Sequence, residues 1–201
     1  MGNASAVQLL TNGGFESGLA GWINTINVVA LNNWWSVTPT EGNLMAVMSP
    51  GGILDSAFGQ FVNPSAYDSI AVSFDYNLKA ADVTRRIDFG NDRLVGFLDT
   101  QEILSVPIND LWDNQGNPTE LGWSNFSQTY PVSGLSPGSL AFGFVLPNTI
   151  LVGGDLGQFM VGYIDNVSIE ATQAPIPEPA TISLLGLGLG IFGLFRLKKR
   201  K

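Results

Sequence analysis

The stretch SIAVSFDY, residues 69–76, is the clearest indication of the fold, because its apolar residues recur at every second position. Ile70, Val72, Phe74 and Tyr76 alternate with small or polar residues. This period of two is typical of a β-strand that buries one face and turns the other towards solvent. The stretch therefore predicts that the body of the protein is built from β-sheet.

Similar short segments occur along most of the chain. The strand-like segments span residues 7–11, 44–48, 58–62, 69–76, 93–99, 103–108, 124–132, 140–146 and 159–169. Residues 99–101 are a candidate turn that joins two of them in a hairpin. With only 13% charged residues, 24 Gly and 11 Pro, the composition agrees with short strands and many turns. We predict an all-β fold, a β-sandwich of about nine strands over residues 7–172.

The absence of two residue types restricts the chemistry of this protein. The 201-residue sequence contains no Cys and no His. Without Cys there are no disulfides, no thiolate catalysis and no zinc site of the usual kind. Without His the commonest general base and the commonest metal ligand are missing. Any metal would be held by oxygen atoms, which favours calcium.

The charges are distributed unevenly along the chain. The first 195 residues hold four basic residues against all 17 acidic ones, a net charge of −13. An acidic body of this kind is repelled by phosphate backbones, so we expect no nucleic-acid partner. The other five basic residues lie within the last six positions: Arg196, Lys198, Lys199, Arg200 and Lys201.

The C-terminal segment has three parts that differ in composition. A Pro-rich linker, residues 173–179, contains Pro177, Glu178 and Pro179. The apolar segment that follows, residues 180–196, carries no charge before its last residue. Its 16 uncharged residues would form a helix of about 24 Å, somewhat shorter than the ~30 Å hydrocarbon core of a bilayer. We predict a transmembrane helix here, followed by a basic cytoplasmic tail at 197–201.

This topology places the body on the far side of the membrane, which requires an export signal. Residues 1–6, MGNASA, have no basic or apolar region, but their small residues resemble the end of a cleaved signal peptide. We interpret them as a remnant or truncated export signal. Two other interpretations of the apolar segment are a permanent membrane anchor and a buried core helix.

The order of Pro177-Glu178-Pro179, a glycine-dotted apolar helix and a terminal basic cluster resembles the PEP-CTERM sorting signal. The resemblance covers residues 175–201. It implies that an exosortase, a membrane protease of the transpeptidase type, cuts at or near the Pro-Glu-Pro motif. It further implies export across the inner membrane of a Gram-negative-type bacterium, transient anchoring, and release to the cell surface or an extracellular matrix, commonly in bacteria that make exopolysaccharide or biofilm.

The body resembles galactose-binding-like and family-4-type carbohydrate-binding modules in three short motifs. These are NGGFESG at 12–18 with Gly21-Trp22, EGN at 41–43, and YIDNVSI at 163–169. The resemblance implies a jelly-roll sandwich and a structural calcium ion held by Glu16, Asn43 and Asp165, with Glu41 as a further candidate. The alternative is that Glu16 and Asp165 only accept backbone hydrogen bonds.

Tryptophan side chains are the candidate ligand contacts, because aromatic faces stack on the apolar faces of sugars. We expect Trp22 to be core packing, which is the commoner fate of a tryptophan. If Trp34 and Trp35 lie in an alternating strand, one ring points inwards and the other is free to contact a glycan. Trp112, in a polar loop, is the other candidate.

Three functions are compatible with these observations. The first is a non-enzymatic surface or matrix protein whose sandwich makes structural or glycan contacts. The second is a secreted glycan-active enzyme, and the third is a membrane-anchored ligand-binding module. Glycoside hydrolysis requires two carboxyl groups at a defined separation. Asp88, Asp92 and Asp99 are scattered over turns and form no such pair in sequence, so we favour the first function, with no catalytic residue.

Overall fold

A computed structural model of the chain describes residues 6–48, 55–80, 93–111, 119–147 and 160–173. These ranges contain eleven β-strands and two short 3-10 helices, Ile108–Leu111 and Val132–Gly134. The strands are β1 (Ala6–Gln8), β2 (Ile23–Ile26), β3 (Val28–Leu31), β4 (Met45–Met48), β5 (Ser56–Val62), β6 (Ser69–Ala80), β7 (Arg93–Leu98), β8 (Gln101–Pro107), β9 (Ser124–Pro131), β10 (Leu140–Leu146) and β11 (Met160–Thr172).

The strands form two antiparallel sheets. Sheet A has the order β3-β4-β11-β6-β9, with β1 also paired to β11, and sheet B has the order β2-β5-β10-β7-β8. The predicted fold class, an all-β sandwich, is confirmed. No helix within the described ranges is long and apolar enough to cross a membrane.

The core lies between the two sheets and is rich in phenylalanine. Phe74 of β6 contacts Phe142 and Phe144 of β10, with ring centroids 6.3 and 4.8 Å apart. Ile70, Val72 and Phe74 are all fully buried, so the alternation that predicts β6 also identifies its core face correctly. Burial of these apolar side chains is the main stabilising contribution to the sandwich.

A β-bulge in β11 reverses which alternate residues of the strand face the core. Asp165 is opposite Asp75 and Ser168 is opposite Ser73, so β11 has one extra residue between these pairs. Asn166, within the bulge, has a φ of 50°, a left-handed conformation that Asn tolerates better than most residues. Odd-numbered residues therefore face outwards before the bulge and lie in the core after it, as Val167 does.

The loop before β2 is organised around Asn12. Its side-chain Nδ2 donates to the carbonyls of Gly18 (2.8 Å) and Ala20 (3.0 Å). Its main-chain carbonyl accepts the indole N–H of Trp22 (3.0 Å). Trp22 stacks on the fully buried Phe15, with ring centroids 5.2 Å apart. The expectation that Trp22 is core packing is confirmed.

The prediction of about nine strands omits β2 and β3. Each has four residues, and Asn27, with a φ of 52°, separates them. The two strands belong to different sheets, since β2 pairs with β5 and β3 pairs with β4. Neither strand is long enough to show a clear period, which is why the sequence pattern misses them.

Candidate functional site

The loop between β3 and β4 lies over the outer face of sheet A, and we call residues 34–44 the strap. Three side chains below it donate hydrogen bonds to main-chain carbonyls of the strap. These bonds join Tyr163 Oη to Trp34 O (3.2 Å), Lys79 Nζ to Trp35 O (2.7 Å) and Trp123 Nε1 to Thr38 O (3.0 Å). The strap also buries Val37 in a small cluster with Met45, Val47, Val161 and Tyr163. Polar and apolar contacts together fix its position.

Asp165, a predicted calcium ligand, is fully buried and faces the strap. Its Oδ2 accepts hydrogen bonds from the N–H of Thr40 (2.7 Å), the N–H of Glu41 (3.2 Å) and the hydroxyl of Thr40 (3.0 Å). Its Oδ1 accepts the N–H of Asn166 (2.8 Å). Burial raises the pKa of Asp165, and these hydrogen bonds offset only part of the increase.

Glu16, the second predicted ligand, is exposed and holds the other end of the strap. Its Oε1 accepts the N–H of Asn43 (2.6 Å) and of Leu44 (2.9 Å), while Oε2 accepts the Asn43 amide (3.2 Å). The N–H groups of Asn43 and Leu44 hold the pKa of Glu16 below its usual value. Gly42 has a φ of 65°, and a Cβ atom there would overlap the Glu16 carboxylate. Glycine is therefore required for this close approach.

The structure brings Glu16 together with Asn43, and Asp165 together with the N–H of Glu41. Each carboxylate receives the backbone hydrogen bonds that the alternative interpretation gives it. Among the residues that the structure describes, no three acidic side chains gather into a group that could hold a metal ion. Calcium binding stays a prediction, with the same candidate ligands.

Trp34 and Trp35 lie in a tight turn, so the expectation of an alternating strand is wrong. The N–H groups and carbonyls of Trp34 and Val37 bond reciprocally, at 3.1 and 3.0 Å. Trp35 and Ser36 both have positive φ, 49° and 67°, a turn that normally uses Asn and Gly. The two indole rings stack with centroids 6.2 Å apart, and Trp34 is 37% exposed. Both tryptophans therefore sit on the outside of sheet A.

Several predicted residues lie outside the described ranges. They are Trp112, Pro177, Glu178, Pro179, Arg196, Lys198, Lys199, Arg200 and Lys201. Residues 1–5 of the predicted export-signal remnant (1–6) and 174–179 of the predicted linker (173–179) also fall there, as do the predicted segments 180–196 and 197–201, Asp88 and Asp92.

The outer face of sheet B carries an apolar trough with a cavity volume of about 250 Å³. Its floor is made of small residues on the two central strands, Ala57 and Gly59 of β5 with Ala141 and Gly143 of β10. Ile23, Phe61 and Phe97 are the large side chains that flank this floor. Across the sheet, Ile23, Gly59, Gly143 and Phe97 are register neighbours. Three strand spacings give the trough a width of about 14 Å.

Phe61 lines this trough and is not among the ligand contacts predicted from sequence. It is 64% exposed, the largest value among the large hydrophobic side chains of the described residues. A signal was available, because Phe58 and Val62 are both buried and Phe61 lies at the opposite phase of the same strand. The period of two places its ring on the outer face.

Asp99 is the acidic residue that lines the trough. It follows the β7 strand with a φ of 57°, and its Oδ2 accepts the N–H of Ser136 (3.1 Å). The Ser136 hydroxyl and N–H hold the pKa of Asp99 below its usual value despite the opposing effect of desolvation. The carboxylate is therefore ionised at neutral pH and can accept hydrogen bonds from a ligand at the edge of the apolar floor.

An all-β sandwich with a C-terminal sorting tail is the class of protein that these features define. Residues 175–201 match the PEP-CTERM protein-sorting motif, so the predicted sorting signal is confirmed over the same residues. This motif indicates export and a sorting step at the membrane. It covers only the tail and does not describe the body. No sequence among the curated proteins matches this chain.

Solved structures similar to the body have diverse functions. A cyclase from Fischerella sp. TAU has a TM-score of 0.48 and 12% identity, covering 86% of this chain and 100% of its own. TmCBM61, solved with beta-1,4-galactotriose, has a TM-score of 0.42 and 17% identity. The match covers 81% of this chain and 97% of the TmCBM61 chain. The enzymatically active domain of bacteriophage CBA120 tailspike protein 4 has a TM-score of 0.45 and 13% identity, covering 83% of this chain. This chain spans only 21% of that tailspike domain. Likenesses at this level name no ligand for the present protein.

Proposed function

We propose that this protein is a non-catalytic surface or extracellular-matrix protein that is sorted through its tail, cut by an exosortase-type membrane protease, and contacts glycan through the trough on sheet B. The observation that carries the sorting part is the PEP-CTERM motif at residues 175–201. The observation that supports glycan contact is the exposed apolar trough on sheet B.

The sequence of the tail supports its role as a cleavage site. Pro175, Pro177 and Pro179 each fix φ, and the residue before each proline is disfavoured in the helical region. A helix that starts in the apolar segment is therefore not expected to extend back through Glu178. From the sequence we therefore expect an extended peptide at the membrane surface, the form in which proteases bind their substrates.

The trough supports glycan contact because it combines aromatic walls with a floor that lacks side-chain bulk. Gly59 and Gly143 are directly opposite each other in register, and a Cβ atom on either would overlap the neighbouring strand. The resulting flat apolar surface lies between Phe61 and Phe97, whose rings suit the apolar face of a pyranose. The Asp99 carboxylate provides a hydrogen-bond acceptor for a sugar hydroxyl.

The same trough supports a non-catalytic role. Asp99 is the single acidic side chain among the described residues that line it, whereas glycoside hydrolysis normally uses two carboxyl groups. The sequence also contains no His and no Cys for other hydrolytic mechanisms. A secreted glycan-active enzyme is the alternative, and release of reducing sugar from a bound glycan would favour it.

Sorting is tested by intact-mass spectrometry of the protein from its native host, fractionated into inner membrane, envelope and medium. We expect a species that ends near residues 177–180 outside the inner membrane. In the matched variant, Pro177, Glu178 and Pro179 are all replaced by Ala, and we expect full-length protein to accumulate in the inner membrane. Full-length wild-type protein found only in that membrane would instead favour a permanently anchored binding module.

Glycan contact by the trough is tested with Phe61→Ala in the full-length chain. Phe61 is largely exposed, so we expect its loss to change the free energy of unfolding by no more than about 0.5 kcal/mol. Binding to soluble oligosaccharides, measured by calorimetry, should fall roughly tenfold if one stacking contact is lost. Unchanged binding would contradict a role for the trough.

A further inference from the structure

A polar cluster of Asn77, Lys79 and Glu120 lies on the outer face of sheet A, away from the trough. Lys79 Nζ forms an ion pair with Glu120 Oε2 (2.9 Å), and Asn77 Nδ2 donates to Glu120 Oε1 (2.8 Å). Burial raises the pKa of Glu120, but the hydrogen bonds from Lys79 and Asn77 outweigh it and lower the pKa overall. The carboxylate is therefore ionised at neutral pH.

Asn77 is the member of this cluster whose hydrogen bonds are incomplete. Its residue is fully buried, yet its Oδ1 has no hydrogen-bond partner within the described parts of the chain. The amide orientation is fixed by Glu120, because an ionised carboxylate accepts only from the nitrogen. Buried acceptors of this kind are rare in folded proteins, since an unsatisfied one costs free energy. Among the described residues, none supplies a donor to this oxygen.

Aromatic rings lie next to this cluster. Lys79 is bonded to the carbonyl of Trp35, and Tyr163 is the register neighbour of Asn77. Trp123 is in edge contact with Tyr163, with ring centroids 6.4 Å apart. The exposed ring of Trp34 stacks on that of Trp35. The backbone at Trp35 and Ser36 is held at positive φ, and such strain is often found at binding sites.

We propose that this face of sheet A is a second glycan-binding site, separate from the trough. The indole of Trp34 provides the stacking surface for a pyranose ring. The ammonium of Lys79 donates to sugar hydroxyls, while Glu120 and the free oxygen of Asn77 accept from them. Because this oxygen is buried and Lys79 Nζ lies 2.9 Å from Glu120 Oε2, a hydroxyl reaches it only when these two partly exposed side chains move apart.

The charge of the cluster favours a neutral sugar over other ligands. Lys79 repels an organic cation that would otherwise suit a group of aromatic rings beside a carboxylate. The net charge of −13 over the first 195 residues opposes polyanions such as nucleic acid. A neutral ligand with many hydroxyl groups can accept from Lys79 and donate to Glu120 and Asn77. It can also stack on the flat indole ring of Trp34.

Tryptophan fluorescence distinguishes this site from the trough. Trp34, Trp35 and Trp123 lie here, whereas no tryptophan is among the described residues that line the trough. The experiment uses the full-length chain in mild detergent, titrated with β-1,4-galactotriose, xylohexaose and cellohexaose. Calorimetry on the same samples reports binding at either site.

We expect at least one probe to change the tryptophan fluorescence with saturation. Trp34→Ala should weaken this titration roughly tenfold, and Asn77→Ala and Glu120→Gln should also weaken it. Trp34→Phe, which keeps an aromatic face, should retain most of the affinity and guards against a folding defect in the alanine variant. Phe61→Ala and Trp112→Phe are the controls, and in both the fluorescence titration should persist.

Calorimetric binding without a fluorescence change would overturn this proposal and leave the trough as the binding site. A fluorescence titration that keeps its wild-type affinity in Trp34→Ala, or is lost in Trp112→Phe, would also overturn it. If no probe binds by either method, both the second site and glycan contact by the trough are wrong.

Discussion

Asp75 and Asp165 are directly opposite each other on neighbouring strands, and the hydroxyl of Thr40 contacts both carboxylates. The Thr40 oxygen lies 2.7 Å from Asp75 Oδ2 and 3.0 Å from Asp165 Oδ2. Two like charges opposite each other in a sheet are destabilising. The structure relieves this with donors, since Asn125 Nδ2 also donates to Asp75 Oδ1 at 2.8 Å.

Removal of the shared hydroxyl tests this arrangement. In Thr40→Val the two carboxylates lose the single hydroxyl proton that they share, and we expect the free energy of unfolding to fall by about 1–3 kcal/mol. Thr38→Val is the matched control, because Thr38 holds the strap through its main-chain carbonyl and this carbonyl is unchanged. Chemical denaturation of both variants measures the difference. Equal stability of the two variants would mean that the hydroxyl contributes nothing.

The calcium prediction can be tested on the same loop. We expect saturating calcium to raise the unfolding temperature of the wild-type chain, since an ion that binds only the folded state stabilises it. The shift should be lost in Asp165→Asn and in Glu16→Gln, whereas magnesium at the same concentration serves as the control ion. If calcium leaves the wild-type temperature unchanged, the backbone hydrogen bonds of Glu16 and Asp165 are sufficient to hold the strap.

The turn between β7 and β8 should make stability depend on acid pH. The pKa of Asp99 is lowered from 3.8 in the folded state by the Ser136 hydroxyl and N–H. A lowered pKa stabilises the fold above the unfolded value, and this contribution is lost as the pH falls through the folded value. Wild-type protein should therefore exceed Asp99→Asn in unfolding temperature at pH 7, and the difference should shrink below about pH 4. A constant difference would show that the charge is not responsible.

The glycine floor of the trough should tolerate no side chain. In Gly143→Ala the new methyl group overlaps the main chain of β5, and we expect a loss of about 1–3 kcal/mol. Gly14→Ala is the control, because no described residue other than its chain neighbours lies within 4 Å of a Cβ built there. Thermal unfolding followed by circular dichroism compares them. Equal unfolding temperatures would mean that the sheet relaxes to admit the methyl group.

The sequence predicts those parts of the fold that a local period reveals. The alternation in β6 identifies both the strand and its buried face, and the turn at residues 99–101 identifies the β7–β8 hairpin. The bulge at Asn166 could not be predicted, because it depends on register between β11 and β6. The same is true of the trough, whose floor forms only when Gly59 and Gly143 meet across two strands.

The candidate site shows a different limit of prediction from sequence, which concerns the main chain. The residue types chosen from sequence, Glu16 and Asp165, do hold the loop that contains residues 41–43, but through hydrogen bonds to its main chain. Main-chain donors are invisible in a sequence. The turn at Trp35-Ser36 could not be predicted either, because neither residue type favours positive φ.

The position of β11 has a mechanical consequence. This strand lies inside sheet A, bonded to β6 on one side and to β4 and β1 on the other, and it ends at Thr172, three residues before the sorting motif. A pull along the axis of β11 from the tail therefore loads many ladder hydrogen bonds at once, in shear, instead of opening them one after another. Tension that reaches the body through the tail would therefore act along a strand that is hydrogen-bonded on both sides.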